Sequence, residues 1–135
     1  MNESRLVIHG LHQKVRFLTK EVNERLRKYE LFSSQWSILF CILQYGPTTQ
    51  SRISQYLNVE APTITRTINR LEKYGWVVRE SGEDLREKIV ILTNKGRDKI
   101  PEIEREIQQF EDEMTNKMSL NEKKVFLELM KKIGE

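Results

Sequence analysis

The sequence predicts a mainly α-helical fold with one small β-hairpin, an α+β arrangement in a single domain. Three observations predict it. Apolar residues recur in steps of three and four along most of the chain. That period breaks between Gly75 and Thr93, where two runs rich in valine and isoleucine flank a polar, glycine-containing turn. The chain has 135 residues, 38% hydrophobic and 32% charged, which suits one folded domain and argues against disorder.

The elements follow in order. Ile8, Leu11, Val15, Leu18, Val22, Leu26 and Tyr29 draw a narrow apolar stripe, so the first thirty residues read as one long helix. Ser33 or Ser34 can cap the next helix, about Gln35 to Tyr45, which is apolar nearly all round and therefore central to the core. Gly46-Pro47 ends it. Thr48 or Thr49 caps a short helix through Ile53 and Leu57, and Asn58-Val59-Glu60 makes a tight turn. Pro62 opens a further helix that stops at Gly75. Its inner face is Ile64, Ile68 and Leu71, and its outer face offers Thr63, Thr65, Arg66, Asn69, Arg70 and Lys73.

Trp76–Arg79 and Lys88–Leu92 read as strands, joined by the turn Ser81-Gly82-Glu83-Asp84-Leu85-Arg86. Thr93 caps a last long helical stretch with Ile100, Ile103, Ile107, Phe110, Met114 and Met118 on one face. Pro101 should kink that stretch or divide its first turn from the rest. Ser119 and Glu122 form a capping box for a final helix with Val125, Phe126, Leu129, Met130 and Ile133 on its apolar side.

A helix-turn-helix followed by a hairpin is a winged-helix arrangement. The chain is expected to form one domain over residues 1–135, with that DNA-binding region at 31–97. Segments 1–30 and 98–135 carry apolar stripes that a chain this short cannot cover alone. A second copy covers them most economically, so a homodimer is expected.

Charge points the same way. Residues 1–100 hold 17 Lys/Arg against 11 Asp/Glu, and residues 101–135 hold six against nine. A polyanion would be met by the middle of the chain, not by its tail. No apolar run approaches the roughly 20 residues of a membrane span, and the N-terminus does not read as a secretory signal. The single cysteine, Cys41, excludes a disulfide framework. A cytoplasmic protein without a cofactor is the expectation.

The stretch DLREKIVILTNKG, from Asp84 to Gly96, resembles the wing signature of the MarR (multiple antibiotic resistance regulator) family, with Asp84, Arg86, Leu92, Thr93 and Gly96 in place. PTITRTINRLEKYGWVVR is similar to that family's recognition helix and first wing strand, through Thr65-Arg66, Leu71-Glu72, Gly75 and Arg79. Gln35-Trp36 and Thr49-Gln50 fit the two preceding helix starts. Arg52 and Ser54 depart from the acidic residue and alanine common there, a change expected to alter surface, not fold. The resemblance covers nearly the whole chain. It implies a double-stranded DNA-binding transcriptional regulator, a homodimeric repressor of nearby genes released by a small-molecule effector.

Groove-reading chemistry fits these residues. Thr63 and Thr65 can meet bases or phosphates, and the Arg66 fork suits guanine O6 and N7. Arg70 and Lys73 suit the backbone. Thr49, Gln50, Pro62, Asn69 and Lys88 complete the expected DNA surface. Arg86 at the hairpin tip can enter a narrow minor groove. The resemblance assigns Asp84 a bracing role. Any one exposed cation is ordinarily a solvated helix face; it is their combination with Arg86 that argues for DNA.

The resemblance also implies a ligand pocket, for which His12, Arg16, Trp36 and Phe40 are candidates, although Trp36 and Phe40 read more readily as core. Cys41, inside an apolar helix, should be a poorly ionised, unreactive thiol. His9 and His12 alone fill no zinc site, so no metal is expected. No nucleophile–base pair or phosphate-cradling glycine loop stands out, so no enzyme is expected. Two further readings remain: a winged-helix adaptor for proteins, and a metal or small-molecule sensor without direct operator binding.

Overall fold

The computed structural model describes residues 2–84 and 86–135, so Leu85, expected in the wing turn, lies outside the described residues. Six helices and three strands follow in order: α1 Glu3–Leu26, α2 Ser33–Tyr45, β1 Thr48–Thr49, α3 Gln50–Leu57, α4 Ala61–Lys73, β2 Val77–Ser81, β3 Lys88–Leu92, α5 Asn94–Met114 and α6 Leu120–Lys132. A single 3₁₀ turn, Arg27–Tyr29, closes α1.

The core forms where α2, α3 and α4 meet the sheet and the middle of α5. Leu26, Ile38, Leu39, Ile53, Ile68, Leu71, Val77, Val90 and Ile103 are fully buried there. Most of α2 is central, as its composition implies, but Leu43 and Tyr45 at its end stay exposed. Neither Ser33 nor Ser34 caps α2. The helix starts early enough that Gln35 is its third residue, and the Gln35 side chain reaches back to accept from the Phe32 N–H at 2.9 Å. The Ser33 N–H instead donates to Asn23 of α1 at 2.7 Å, tying the two helices together.

The wing is a three-stranded antiparallel sheet in the order β1-β3-β2, one strand more than a hairpin. Thr48 pairs with Val90 and Thr49 with Ile89, while Val77 to Ser81 pair with Leu92 to Lys88. The same Thr49 that ends β1 also caps α3, its Oγ1 accepting from the Arg52 N–H at 3.1 Å. The two departures from the family pattern are accommodated at the surface. Arg52 lies over the Tyr45 ring, 4.3 Å from its centroid, and Ser54 donates to the Val59 carbonyl.

Pro101 neither divides α5 nor ends it; the helix runs unbroken from Asn94 to Met114. Proline removes one helical donor, and burial of Ile100 and Ile103 on either side holds that turn in place. Ser119 and Glu122 form the expected reciprocal cap, Ser119 Oγ accepting at 3.1 Å and Glu122 Oε1 at 2.9 Å.

The terminal stripes have no cover within the chain. No residue of α6 is buried, and Val125, Phe126, Leu129, Met130 and Ile133 are all exposed. On α1, Leu6, Val7, Ile8, Val15, Phe17 and Leu18 are exposed, and burial begins only near Leu26. Ion pairs between Arg25 and Glu113, and between Lys28 and Glu106, fasten the end of α1 to α5.

One junction joins the DNA-facing half to α5. Gly75 turns the chain at φ +83°, and the Trp76 N–H caps α4 by donating to the Leu71 carbonyl at 2.8 Å. Thr93 then donates to the Gly75 carbonyl at 2.6 Å and accepts from the Gly96 N–H at 3.1 Å. A Cβ on Gly96 would sit 2.6 Å from the Trp76 carbonyl oxygen, so only glycine fits. Gly96→Ala is therefore expected to cost about 1–3 kcal/mol of stability, as overpacking against backbone does. Urea denaturation at fixed protein concentration reads this directly, and an unchanged midpoint would show that the junction relaxes freely.

Candidate nucleic-acid interface

The turn between α3 and α4 is set by Asn58 in the left-handed region, φ +54°, with the Val59 N–H donating to the Ser54 carbonyl at 3.1 Å. It swings α4 across α3 so that Ile64, Ile68 and Leu71 face the core. The remaining side of α4 faces solvent. Thr63, Arg66, Arg70 and Lys73 recur at steps of three and four, and all are exposed. Asn69 is exposed beside them. No carboxylate among the described residues lies within 4.0 Å of Arg66, Arg70, Lys73 or Lys88. Their charge is uncompensated, which is what a polyanion requires.

The start of α4 offers fewer free donors than expected. Pro62 has no N–H, and the Thr63 N–H is already given to the Glu60 carbonyl at 3.1 Å. Arg66 donates to Thr63 Oγ1 at 3.1 Å, which holds its guanidinium over the first turn of the helix.

Two residues expected to face DNA are engaged internally. Gln50 Nε2 donates to Thr65 Oγ1 at 3.1 Å, and Thr65 Oγ1 donates to the Ala61 carbonyl at 3.0 Å. Gln50 Oε1 in turn accepts from Arg79 Nε at 2.7 Å. Arg79 had no assigned task in the sequence beyond its place in the family pattern. It also donates to Glu72 Oε1 at 3.2 Å and to the Thr65 carbonyl at 3.3 Å, while its own N–H meets Glu72 Oε2 at 3.2 Å. One half-buried guanidinium thus links the start of α3, the middle of α4 and the first wing strand. The sequence signal was a strand arginine on the same element as buried Val77, but only the fold shows what it reaches.

At the wing tip, Asp84 Oδ1 accepts from the Arg86 N–H at 3.0 Å and from Arg86 Nε at 3.5 Å. This matches the bracing expected of Asp84. The Arg86 side chain is 92% exposed, so the long contact to Asp84 leaves it free to reach outward. Lys88 touches only Ser81, at 3.5 Å.

The four ligand-pocket candidates do not come together within the chain. Trp36 and Phe40 pack with ring centroids 6.3 Å apart and share a cavity with Ile107 and Glu111. His12 lines a separate hollow along α1 with Ile8 and His9, and Arg16 lines neither. Burial raises the Cys41 thiol pKa, opposed weakly by Arg52, in keeping with an inert core cysteine. Among the described residues, no group of three or more His, Cys, Asp or Glu side chains could hold a metal ion.

An α3-turn-α4 unit with a braced wing and an open cationic face defines a winged helix-turn-helix protein. Residues 31–88 match the model of the MarR family. An uncharacterized HTH-type transcriptional regulator of Bacillus subtilis (strain 168), YwoH, is 46% identical over 128 residues, covering 95% of this chain and 93% of that protein. Another, from Bacillus thuringiensis subsp. konkukian (strain 97-27), is 32% identical over 115 residues, 82% of this chain and 75% of its own length. Wild-type apo MarR from E. coli superposes with TM-score 0.74 at 26% identity, over 100% of this chain and 98% of that one. A mutant of E. coli MarR complexed with operator DNA has the same fold, with TM-score 0.82 at 23% identity over 99% and 100% of the two chains. The chain belongs to the MarR family of HTH-type transcriptional regulators.

Arg79→Ala should destabilise the protein by about 1–3 kcal/mol, because it strands the Gln50 and Glu72 acceptors. Arg79→Lys should recover only part of this, since an ammonium lacks the planar fork that meets three partners. Thermal or urea unfolding of the two variants checks it; a loss below about 0.5 kcal/mol in Arg79→Ala would show that the network is incidental.

Proposed function

We propose that the protein is a homodimeric, sequence-specific DNA-binding repressor of nearby genes, released by a small-molecule effector and working in the cytoplasm. In this reading α4 enters the major groove and the wing reaches the adjoining minor groove. The observation that carries it is the uncompensated face Thr63–Arg66–Arg70–Lys73 on a helix whose other side is locked in the core, together with the exposed Arg86. Arg66 reads a base edge, Arg70 and Lys73 hold phosphates, and Arg86 enters the minor groove. Gln50 and Thr65 support that face from behind. Thr49, Pro62, Asn69 and Lys88 lie along its border, and Asp84 aims the wing.

Segments 1–30 and 98–135 form the dimer interface, because their exposed apolar faces need cover and each is repeated in a second copy. The paired helices then set two α4 elements on half-sites about 10–10.5 bp apart. No described helix is long and apolar enough to cross a membrane. A regulatory task in place of catalysis rests on the family. An adaptor that binds only proteins would have no use for Arg66 and Arg86 in these two places.

The test is fluorescence anisotropy with the DNA just upstream of the protein's own gene, a random duplex and a salt series. Preference for the upstream DNA by about a thousandfold is expected. Arg86→Ala should weaken specific binding by about 1–3 kcal/mol with the dimer intact, and Arg66→Ala should cost more on the specific site than on random DNA. Equal losses on both duplexes would reduce Arg66 to a phosphate contact, and unchanged affinity in Arg86→Ala would remove the minor-groove task. Sedimentation at micromolar concentration should show a dimer; a monomer would contradict the assignment of the terminal helices.

A further inference from the structure

The far end of α4, away from its groove-facing turns, closes one side of a cavity of about 520 Å³. The turn after α1, the start of α2 and the first turns of α5 complete the wall. The cavity lies apart from Trp36, Phe40, His12 and Arg16, the residues assigned to a ligand from sequence.

Its lining is cationic and aromatic together. Four basic side chains line it against a single carboxylate, Glu30. Two of the four are committed elsewhere. Lys28 is paired with Glu106 at 3.0 Å, and Lys95 donates to the Tyr74 carbonyl at 2.8 Å while lying over the Trp76 ring. Arg70 and Lys99 have no carboxylate partner among the described residues. At the back stands Gln35, only 6% exposed. Its Oε1 is spent on the Phe32 N–H, but its Nε2 has no acceptor among the described residues. A buried amide with two unused donors is a feature that proteins rarely leave unmatched. Trp76 and Tyr74 supply flat apolar surface beside these donors.

We propose that this cavity is a binding site for a small organic anion with a flat apolar body. The anionic group is met by Arg70, Lys99 and the Gln35 amide, and the body lies against Trp76 and Tyr74. Charge-assisted hydrogen bonds from a guanidinium and an ammonium favour an anion over a neutral molecule of the same shape. A volume of this size suits one such molecule. The site goes beyond operator binding, and its test needs no DNA. Because Arg70 and Tyr74 close α4, an occupant touches the end of the groove-reading helix.

The probe is naphthalene-2-sulfonate, titrated into the full chain and followed by ¹H–¹⁵N NMR. Saturable shifts of the Trp76 indole N–H and the Gln35 side-chain amide are expected. Lys99→Glu, at an exposed position without an ion-pair partner among the described residues, should keep the fold by circular dichroism and weaken binding by about tenfold or more. Neutral 2-naphthylmethanol should bind about tenfold more weakly than the sulfonate. Equal binding of the neutral compound, indifference to Lys99→Glu, shifts confined to the exposed faces of α1 and α6, or no binding at millimolar probe would each overturn the proposal.

Discussion

Everything on the DNA-facing side depends on α4 being held firmly along one face and left bare along the other. Ile64, Ile68 and Leu71 provide the grip from the core. Hydrophobic burial is non-directional, however, and by itself would let the helix roll or slide. The directional restraint comes from Arg79, whose guanidinium meets Gln50, Glu72 and the Thr65 carbonyl at once. The capping bonds around Gly75 and Thr93 then fix where the helix ends and the sheet begins. A groove-reading helix needs such pinning, because base contacts are lost when side chains are misplaced by a fraction of their length.

The second constraint is one of coverage. The core closes around α2 to α4, the sheet and the middle of α5, and ends near Phe110. Beyond it, α6 and most of α1 present apolar residues with nothing from the same chain against them. These helices are well formed locally, with a complete capping box at Ser119 and an Asn2 side chain capping α1. Their sequence thus supports the helix while leaving its apolar face for another surface.

Much of this was legible from residue spacing. The two faces of α4, the stop at Gly75, the cap at Thr93 and the box at Ser119 are local features, and local spacing determines them. The strand β1 was not legible, because two threonines read as a cap and their pairing with Val90 and Ile89 joins residues about forty apart in the chain. The cap of α2 was misplaced because a serine is the commoner cap, whereas here a glutamine reaches back. Gln50 and Thr65 looked like surface polar residues, and only their meeting with Arg79 shows that they are bound from within. Pro101 looked like a break, but the burial around it outweighs one missing hydrogen bond. His12, Arg16, Trp36 and Phe40 share chemistry without sharing a cavity, which no sequence pattern could reveal.

The most direct test of a pinned helix with one open, cationic face is to map where DNA touches it. Even a duplex of arbitrary sequence binds such a face at low salt through its phosphates, so no operator need be known. Amide and side-chain shifts should be followed by NMR as the duplex is added at low and then moderate salt. A pinned α4 with a bare outer face predicts salt-sensitive shifts at Thr63, Arg66, Asn69 and Arg86, with Ile68 and Leu71 unmoved. Shifts concentrated on α1 or α6 with α4 silent would contradict it and place the nucleic-acid surface elsewhere on the molecule.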